Sequence, residues 1–232
     1  EPAVYQEAEP LYKKGTLKYP AADLDDTIYH PERQLDAHII EEFSKCEWIE
    51  QGKNLVITGK TSFGKSYLAN ALCICALRQF KTARYIKASQ LINELSKAEK
   101  LDNYQEELSI YAGYDLLVVD DFGLMSMDVN KCRNLFEVFE AGIPQIHPCD
   151  FPVSGIFWYD MFQDHTYAEA CLARLLSGAY RLETNGKNMR NMEPKTSNKR
   201  TAHRWCEPFT PLTREMGSVY PKSASHAEKY KK

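Results

Sequence analysis

No run of 18 apolar residues occurs in the 232-residue chain, which excludes a membrane-spanning helix. Its first residues, EPAVYQEAEPLYKK, lack the basic-then-apolar layout of a secretory signal. No Met stands at position 1, so upstream residues are expected to be missing. The seven cysteines include no C-x-x-C pair, and a chain of this length needs no disulfide staples. Reduced thiols and a cytoplasmic location are therefore expected. Cys73 and Cys75 are two apart on an expected helix, so they face different ways and make poor metal partners. No internal repeat is visible. The composition, 44% hydrophobic and 26% charged, is close to globular averages and excludes a disordered or fibrous chain. The length fits one large α/β domain with short appendages.

Charge is unevenly spread. Residues 185–232 hold 11 Lys/Arg and 4 Asp/Glu, a net +7, while residues 1–184 hold 18 and 28, a net −10. A basic tail beside an acidic body suits contact with a polyanion. The alternative is a solvated, irregular tail, which its Ser, Thr, Asn, Lys and scattered Pro also favour.

Strands and helices alternate along the chain. Residues 34–51 place Leu35, Ile39, Phe43 and Trp48 near a helical period, which predicts one amphipathic helix. Residues 54–58 (NLVIT), 83–88 (ARYIKA), 116–120 (LLVVD) and 180–184 read as strands. Residues 65–80, 89–111, 128–141 and 167–177 read as helices. This pattern predicts an α/β fold, a parallel sheet with helices on both faces. Past about Asn191 the periodicity fades.

Gly59-Lys60-Thr61-Ser62-Phe63-Gly64-Lys65-Ser66 matches G-x-x-x-x-G-K-[ST], with an apolar strand before it and a helix after it. The glycines let backbone N–H groups turn toward phosphate oxygens, and the helix N-terminus adds positive potential. Lys65 is expected to reach the β- and γ-phosphates of ATP, and the Ser66 hydroxyl to ligate Mg²⁺. Ser62 stands where many such loops carry another Gly. Asp120 and Asp121 close the apolar strand LLVVD, with Asp120 55 residues after Lys65. A strand ending in acid delivers a carboxylate to the carboxyl edge of the sheet, beside the phosphate loop. Asp120 is expected to hold Mg²⁺ through water and Asp121 to polarise the attacking water. The competing reading is a simple strand-end turn at Asp121-Phe122-Gly123. The acidic pair also disfavours a small-molecule kinase of the adenylate type.

Arg174 lies off the apolar stripe of Leu172, Leu175 and Leu176. It is either a finger reaching a neighbouring subunit's γ-phosphate or a surface salt-bridge partner. Asp164 or Thr166 is expected to cap that helix, with His165 on the surface.

These stretches together, GKTSFGKSYLANAL, ARYIKASQLINEL, YDLLVVDDFG and DHTYAEACLARLLSGAYRLETNGKNMR, resemble the IstB/DnaC-like ATPases, P-loop NTPases of the AAA+ class, and most of all the IstB helper ATPases of insertion sequences. The resemblance runs over roughly residues 10–195. It implies an ATPase that binds ATP and Mg²⁺ and assembles as an ATP-dependent homo-oligomer on double-stranded DNA. Its partner would be a transposase whose target DNA it helps to capture; DnaC-type relatives load a replicative helicase instead. By position Lys65 and Ser66 resemble the Walker A pair, Asp120 and Asp121 the Walker B pair, and Arg174 the inter-subunit arginine. Arg190 in GKNMR resembles an arginine near the nucleotide.

The chain departs from the family in two places. Only a fragment of the family's N-terminal helical domain fits before residue 34. The expected division is therefore a lead-in over 1–33, an ATPase domain over 34–192 and a basic, irregular tail over 193–232. The family's sensor 1 strand ends in Thr or Ser followed by Asn or Gln, whereas residues 142–150 read GIPQIHPCD. Pro144 and Pro148 each remove a ladder donor, which a central strand tolerates badly. An irregular segment, a local replacement or a degraded copy of the strand is expected there, with Cys149 or Asp150 as the nearest substitute. That leaves an ATP-binding switch with little hydrolysis, or a degenerate copy, as alternatives to an active enzyme.

Overall fold

The computed structural model describes residues 17–122, 127–149, 157–160, 162–186 and 189. Arg190, Asp150 and the basic tail lie outside them. Five parallel strands form one sheet: β1 (Leu55–Gly59), β2 (Ala83–Lys87), β3 (Leu116–Asp120), β4 (Gln145–Cys149) and β5 (Tyr180–Thr184), in the order β2-β3-β4-β1-β5. The helices are α1 (Ala37–Ser44), α2 (Glu47–Glu50), α3 (Lys65–Arg78), α4 (Ala88–Lys100), α5 (Tyr104–Ala112), α6 (Val129–Glu140), α7 (Phe157–Asp160) and α8 (His165–Leu176).

The strands carry apolar residues on both faces because both faces are covered. Leu55, Ile57, Leu116, Val118 and Ile146 pack on one side with α3. Val56, Leu117 and Val119 pack on the other with residues of α4, α6 and α8. Every residue of α3 from Leu68 to Leu77 is buried, so this helix is an interior element and shows no amphipathic stripe. The lead-in also contributes to this core. Ala22 and Leu24 are 2% and 1% exposed, and Arg78 of α3 pairs with Asp23 at 3.0 Å.

Two expected long helices are each broken in two. The helix expected over 34–51 stops at Ser44, and Cys46 takes a left-handed conformation (φ +59°). That turn folds the chain back so that Trp48 Nε1 donates to the Phe43 carbonyl at 3.1 Å. The helix expected over 89–111 breaks at Asp102 (φ +62°). Left-handed backbone at a residue other than Gly carries a local cost that packing must offset. The thiols at Cys46, Cys73, Cys132 and Cys171 are free and buried, as expected, but Cys75 is disulfide-bonded.

The segment expected to be irregular is instead β4, a central strand between β3 and β1. Pro144 precedes the strand, and its carbonyl accepts from Leu117 N at 3.0 Å. Backbone groups alternate along a strand, so Pro148, four residues on, also turns toward β3. The β3–β4 register ends at Val118↔Ile146, whereas β4 stays paired with β1 through Thr58↔Cys149. Pro148 lacks the N–H that the next β3 rung would need, so the ladder stops on that side, and pairing with β1 carries the end of β4.

β4 also buries a polar pair. His147 Nε2 and Gln145 Oε1 are 2.8 Å apart, and since an amide oxygen can only accept, Nε2 carries the proton. Phe122 and Phe139 meet the imidazole edge-on at 5.3 and 5.6 Å. Burial pushes the His147 pKa from its ordinary 6.5 down to about 3. The ring is neutral when folded and protonates on unfolding, so its stabilisation is complete above pH 6.5 and is lost as pH falls toward 3. Between pH 7 and 5 the parent should lose about 2 kcal/mol more than His147→Gln. Urea unfolding at the two pH values checks this, and equal losses would contradict it.

Candidate functional site

The loop between β1 and α3 lies at the carboxyl edge of the sheet. Gly59 is required there, because a Cβ would sit 2.2 Å from the Thr184 carbonyl oxygen of β5. Ser62 has φ +71°, so this is the left-handed position at which glycine is common in such loops. The Ser62 carbonyl accepts from Met189 N at 2.8 Å, which ties the loop to the segment after β5. Gly64 (φ +84°) begins α3 with no side chain capping the helix, an end suited to an anion. Thr61 is exposed and Phe63 half-buried. The Phe63 carbonyl accepts from the buried Arg33 at 3.1 Å. Lys65 is 6% exposed, and its ammonium donates to the Lys60 carbonyl at 2.9 Å, across the loop's own mouth.

The structure brings the acidic strand end to this loop. Ser66 Oγ donates to Asp120 Oδ1 at 3.1 Å, although the two residues lie 54 apart in sequence. Asp120 is 2% exposed and carries several partners: Tyr85 OH, the Asp121 amide at 2.9 Å and the Lys18 ammonium at 3.1 Å. Burial alone would raise the Asp120 pKa, but the hydrogen bonds from Tyr85 and the Asp121 amide, with the Lys18 charge, outweigh it and hold the carboxyl below its ordinary range. A hydroxyl and a carboxylate oxygen one hydrogen bond apart are hard donors of the kind a magnesium ion takes alongside substrate phosphates. Among the described residues no group of three or more His, Cys, Asp or Glu could hold a metal by itself. Asp121 has φ +57°, and its carboxylate pairs with Lys87 at the end of β2, 2.8 Å away.

Arg174 is elsewhere. Asn54, just before β1, donates to the Arg174 and Leu175 carbonyls, which places the end of α8 at the opposite edge of the sheet. The length of β1, about 16 Å at strand rise, separates that edge from the loop. The Arg174 guanidinium pairs with Glu140 and lies over the Phe136 ring at 4.4 Å. Asp164 caps α8, accepting from Thr166 N and Tyr167 N, and His165 is exposed, both as expected.

Four neighbours of the site were not foreseen: Tyr85, Lys87, Lys18 and Arg33. Lys87 ends β2 as Asp120 ends β3, and a charged residue closing a parallel strand is a signal for the same edge. Lys18 and Arg33 lie in the lead-in and carry no local signal. Their positions depend on how that segment folds back over α3.

A parallel sheet in this order, with a phosphate loop after β1 and an acidic pair after β3, defines a P-loop NTPase of the AAA+ class. The fold agrees with solved structures. AMPPCP-bound DnaA from Aquifex aeolicus matches with a TM-score of 0.58 at 21% identity over 75% of this chain and 53% of that one. The DnaC helicase loader matches with a TM-score of 0.57 at 18% identity over 72% and 99%. The chain belongs to the IstB-like ATP binding protein family, whose profile matches residues 7–197. An insertion-sequence ATP-binding protein of Sinorhizobium fredii is 32% identical over 78% of this chain and 73% of its own length. One of Pseudomonas fluorescens is 35% identical over 57% of each chain. The chain thus spans a little over half of that relative, and about half of DnaA. No helix among the described residues is long and apolar enough to cross a membrane.

Proposed function

We propose that the protein is an ATPase serving insertion-sequence transposition, one that assembles on double-stranded DNA and presents it to a transposase. The observation that carries this reading is the meeting of Ser66 and Asp120 at 3.1 Å beside the phosphate loop, with Asp121 next along the chain. Residues 59–64 would cradle the ATP phosphates, with Lys65 reaching the β- and γ-phosphates and Ser66 and Asp120 holding Mg²⁺. Bound there, the ion neutralises phosphate charge. Asp121 would orient and polarise the attacking water. Arg190 would contact the nucleotide from the segment after β5. The relatives are insertion-sequence ATP-binding proteins, which favours a transposase over a replicative helicase as partner. That β4 keeps its place between β3 and β1 favours an enzyme over an ATP-binding switch, and turnover with and without duplex DNA separates the two.

Arg174 lies about a strand's length from its own loop, so the γ-phosphate it serves would belong to a second copy. Its pair with Glu140 would then open on assembly, at a small cost for an exposed ion pair. Arg174→Ala should abolish ATP-dependent oligomers while each protomer keeps its nucleotide affinity. DNA contact through the basic 185–232 region should weaken with salt at about −0.9 log units per phosphate contact. Sedimentation with labelled duplex, with and without a non-hydrolysable ATP analogue, checks both. A chain that stays monomeric and off DNA in both conditions would overturn the assembly reading.

A further inference from the structure

Lys18 belongs to no nucleotide-binding motif, yet its ammonium lies 3.1 Å from Asp120 Oδ2. The other oxygen of that carboxylate accepts from Ser66. The lysine is delivered by a fastened segment. Tyr19 N donates to Asn70 Oδ1 at 3.2 Å, and the Tyr19 ring packs on Tyr67 at 6.0 Å. Asp23 N donates to Tyr67 OH at 3.2 Å, and Asp23 pairs with Arg78. Tyr67, Asn70 and Arg78 all belong to α3, the helix that opens on the phosphate loop. Residues 17–27 thus form a strap along α3 whose leading end reaches into the site.

We propose that Lys18 is a built-in competitor of the divalent cation for Asp120, and that loading Mg²⁺ with ATP displaces it and loosens the strap. The inference rests on the assignment of Ser66 and Asp120 as the metal-holding pair. A carboxylate 2% exposed does not stay ionised without a compensating positive charge or donors, and Lys18 supplies the charge. A divalent cation brought to the same carboxylate faces a like charge already on it. Each weakens the other, and the coupling is reciprocal. Lys18 is the partner able to leave: its side chain is 32% exposed and its flexible stem can swing to water, whereas Tyr85 is 5% exposed in the sheet core. Occupancy of the metal site would thereby reach the segment leading to the N-terminal part of the chain.

The test uses the full chain, a fluorescent ATP analogue at fixed concentration and a Mg²⁺ titration. Lys18→Met should lower the half-saturating Mg²⁺ concentration by roughly fivefold or more, while Lys18→Arg, which keeps the charge, stays near the parent. Hydrogen exchange over residues 17–27 should quicken in the parent on going from analogue with EDTA to analogue with Mg²⁺. In Lys18→Met that difference should vanish. An unchanged Mg²⁺ requirement in Lys18→Met overturns the inference. So does weaker analogue binding in Lys18→Met, which would make Lys18 a phosphate contact. Failure of the parent to bind the analogue at all would remove the ATPase reading and this inference together.

Discussion

Lys65→Ala is expected to lower ATP affinity by roughly 10- to 100-fold, the loss of about 1.5–3 kcal/mol from charge-assisted contacts to phosphate. Lys65 opens α3 and is 6% exposed, so its ammonium is delivered by the fold and not by a mobile surface side chain. Its bond to the Lys60 carbonyl spans the loop that the phosphates would fill, and handing the ammonium from that carbonyl to phosphate costs little stem rearrangement. The substitution removes one loop-closing bond besides the charge, so thermal unfolding should be recorded beside calorimetry. A variant that melts like the parent but binds weakly isolates the phosphate contact. Unchanged affinity would show that residues 59–66 do not hold the nucleotide.

Much of this site was legible because its parts are local. The strand LLVVD is apolar throughout and ends in acid, and the structure bounds β3 at the same residues, Leu116–Asp120. The glycine and lysine spacing of 59–66 fixes a turn and a helix start within eight residues. Ser62 is unusual in such a loop, and its positive φ is the physical reason that glycine is common at that position. The helix breaks at Cys46 and Asp102 were not legible, because neither residue announces a left-handed conformation as glycine does. Helical periodicity continues through both.

The reading of 142–150 failed for a different reason. Each proline does remove a donor, but what that costs depends on which neighbour the proline faces and on whether the other neighbour still holds the strand. Pro148 faces β3 and ends that ladder at Val118↔Ile146, while the pairing with β1 runs on through Thr58↔Cys149. That fact is tertiary and belongs to no window of sequence. The same holds for Lys18 and Asp120, 102 residues apart, and for Tyr85 beside Asp120, which requires knowing that β2 pairs with β3 in the register Lys87↔Asp120.

Asp121→Asn is expected to lower ATP turnover by roughly 10²- to 10⁴-fold while leaving Mg²⁺–ATP binding close to that of the parent. The geometry favours a clean separation. Asp121 takes a left-handed conformation, φ +57°, which Asn tolerates as well as Asp, so the backbone at the end of β3 is kept. The Asp121 side chain pairs with Lys87, whereas the contacts to Ser66 and Lys18 belong to Asp120. Replacing Asp121 therefore removes a negative charge from the water-facing position and leaves the metal-holding pair intact. Asp120→Asn should behave differently. Both oxygens of Asp120 accept hydrogen bonds, Oδ1 from Ser66 and the Asp121 amide and Oδ2 from Tyr85 and Lys18. An amide group on either side turns an acceptor into a donor facing donors. This variant should raise the Mg²⁺ concentration needed for nucleotide binding and lower thermal stability. Steady-state turnover and Mg²⁺-dependent binding, measured on both variants, distinguish the two roles. If each binds and hydrolyses like the parent, the acidic end of β3 is the strand-end turn and no part of the site.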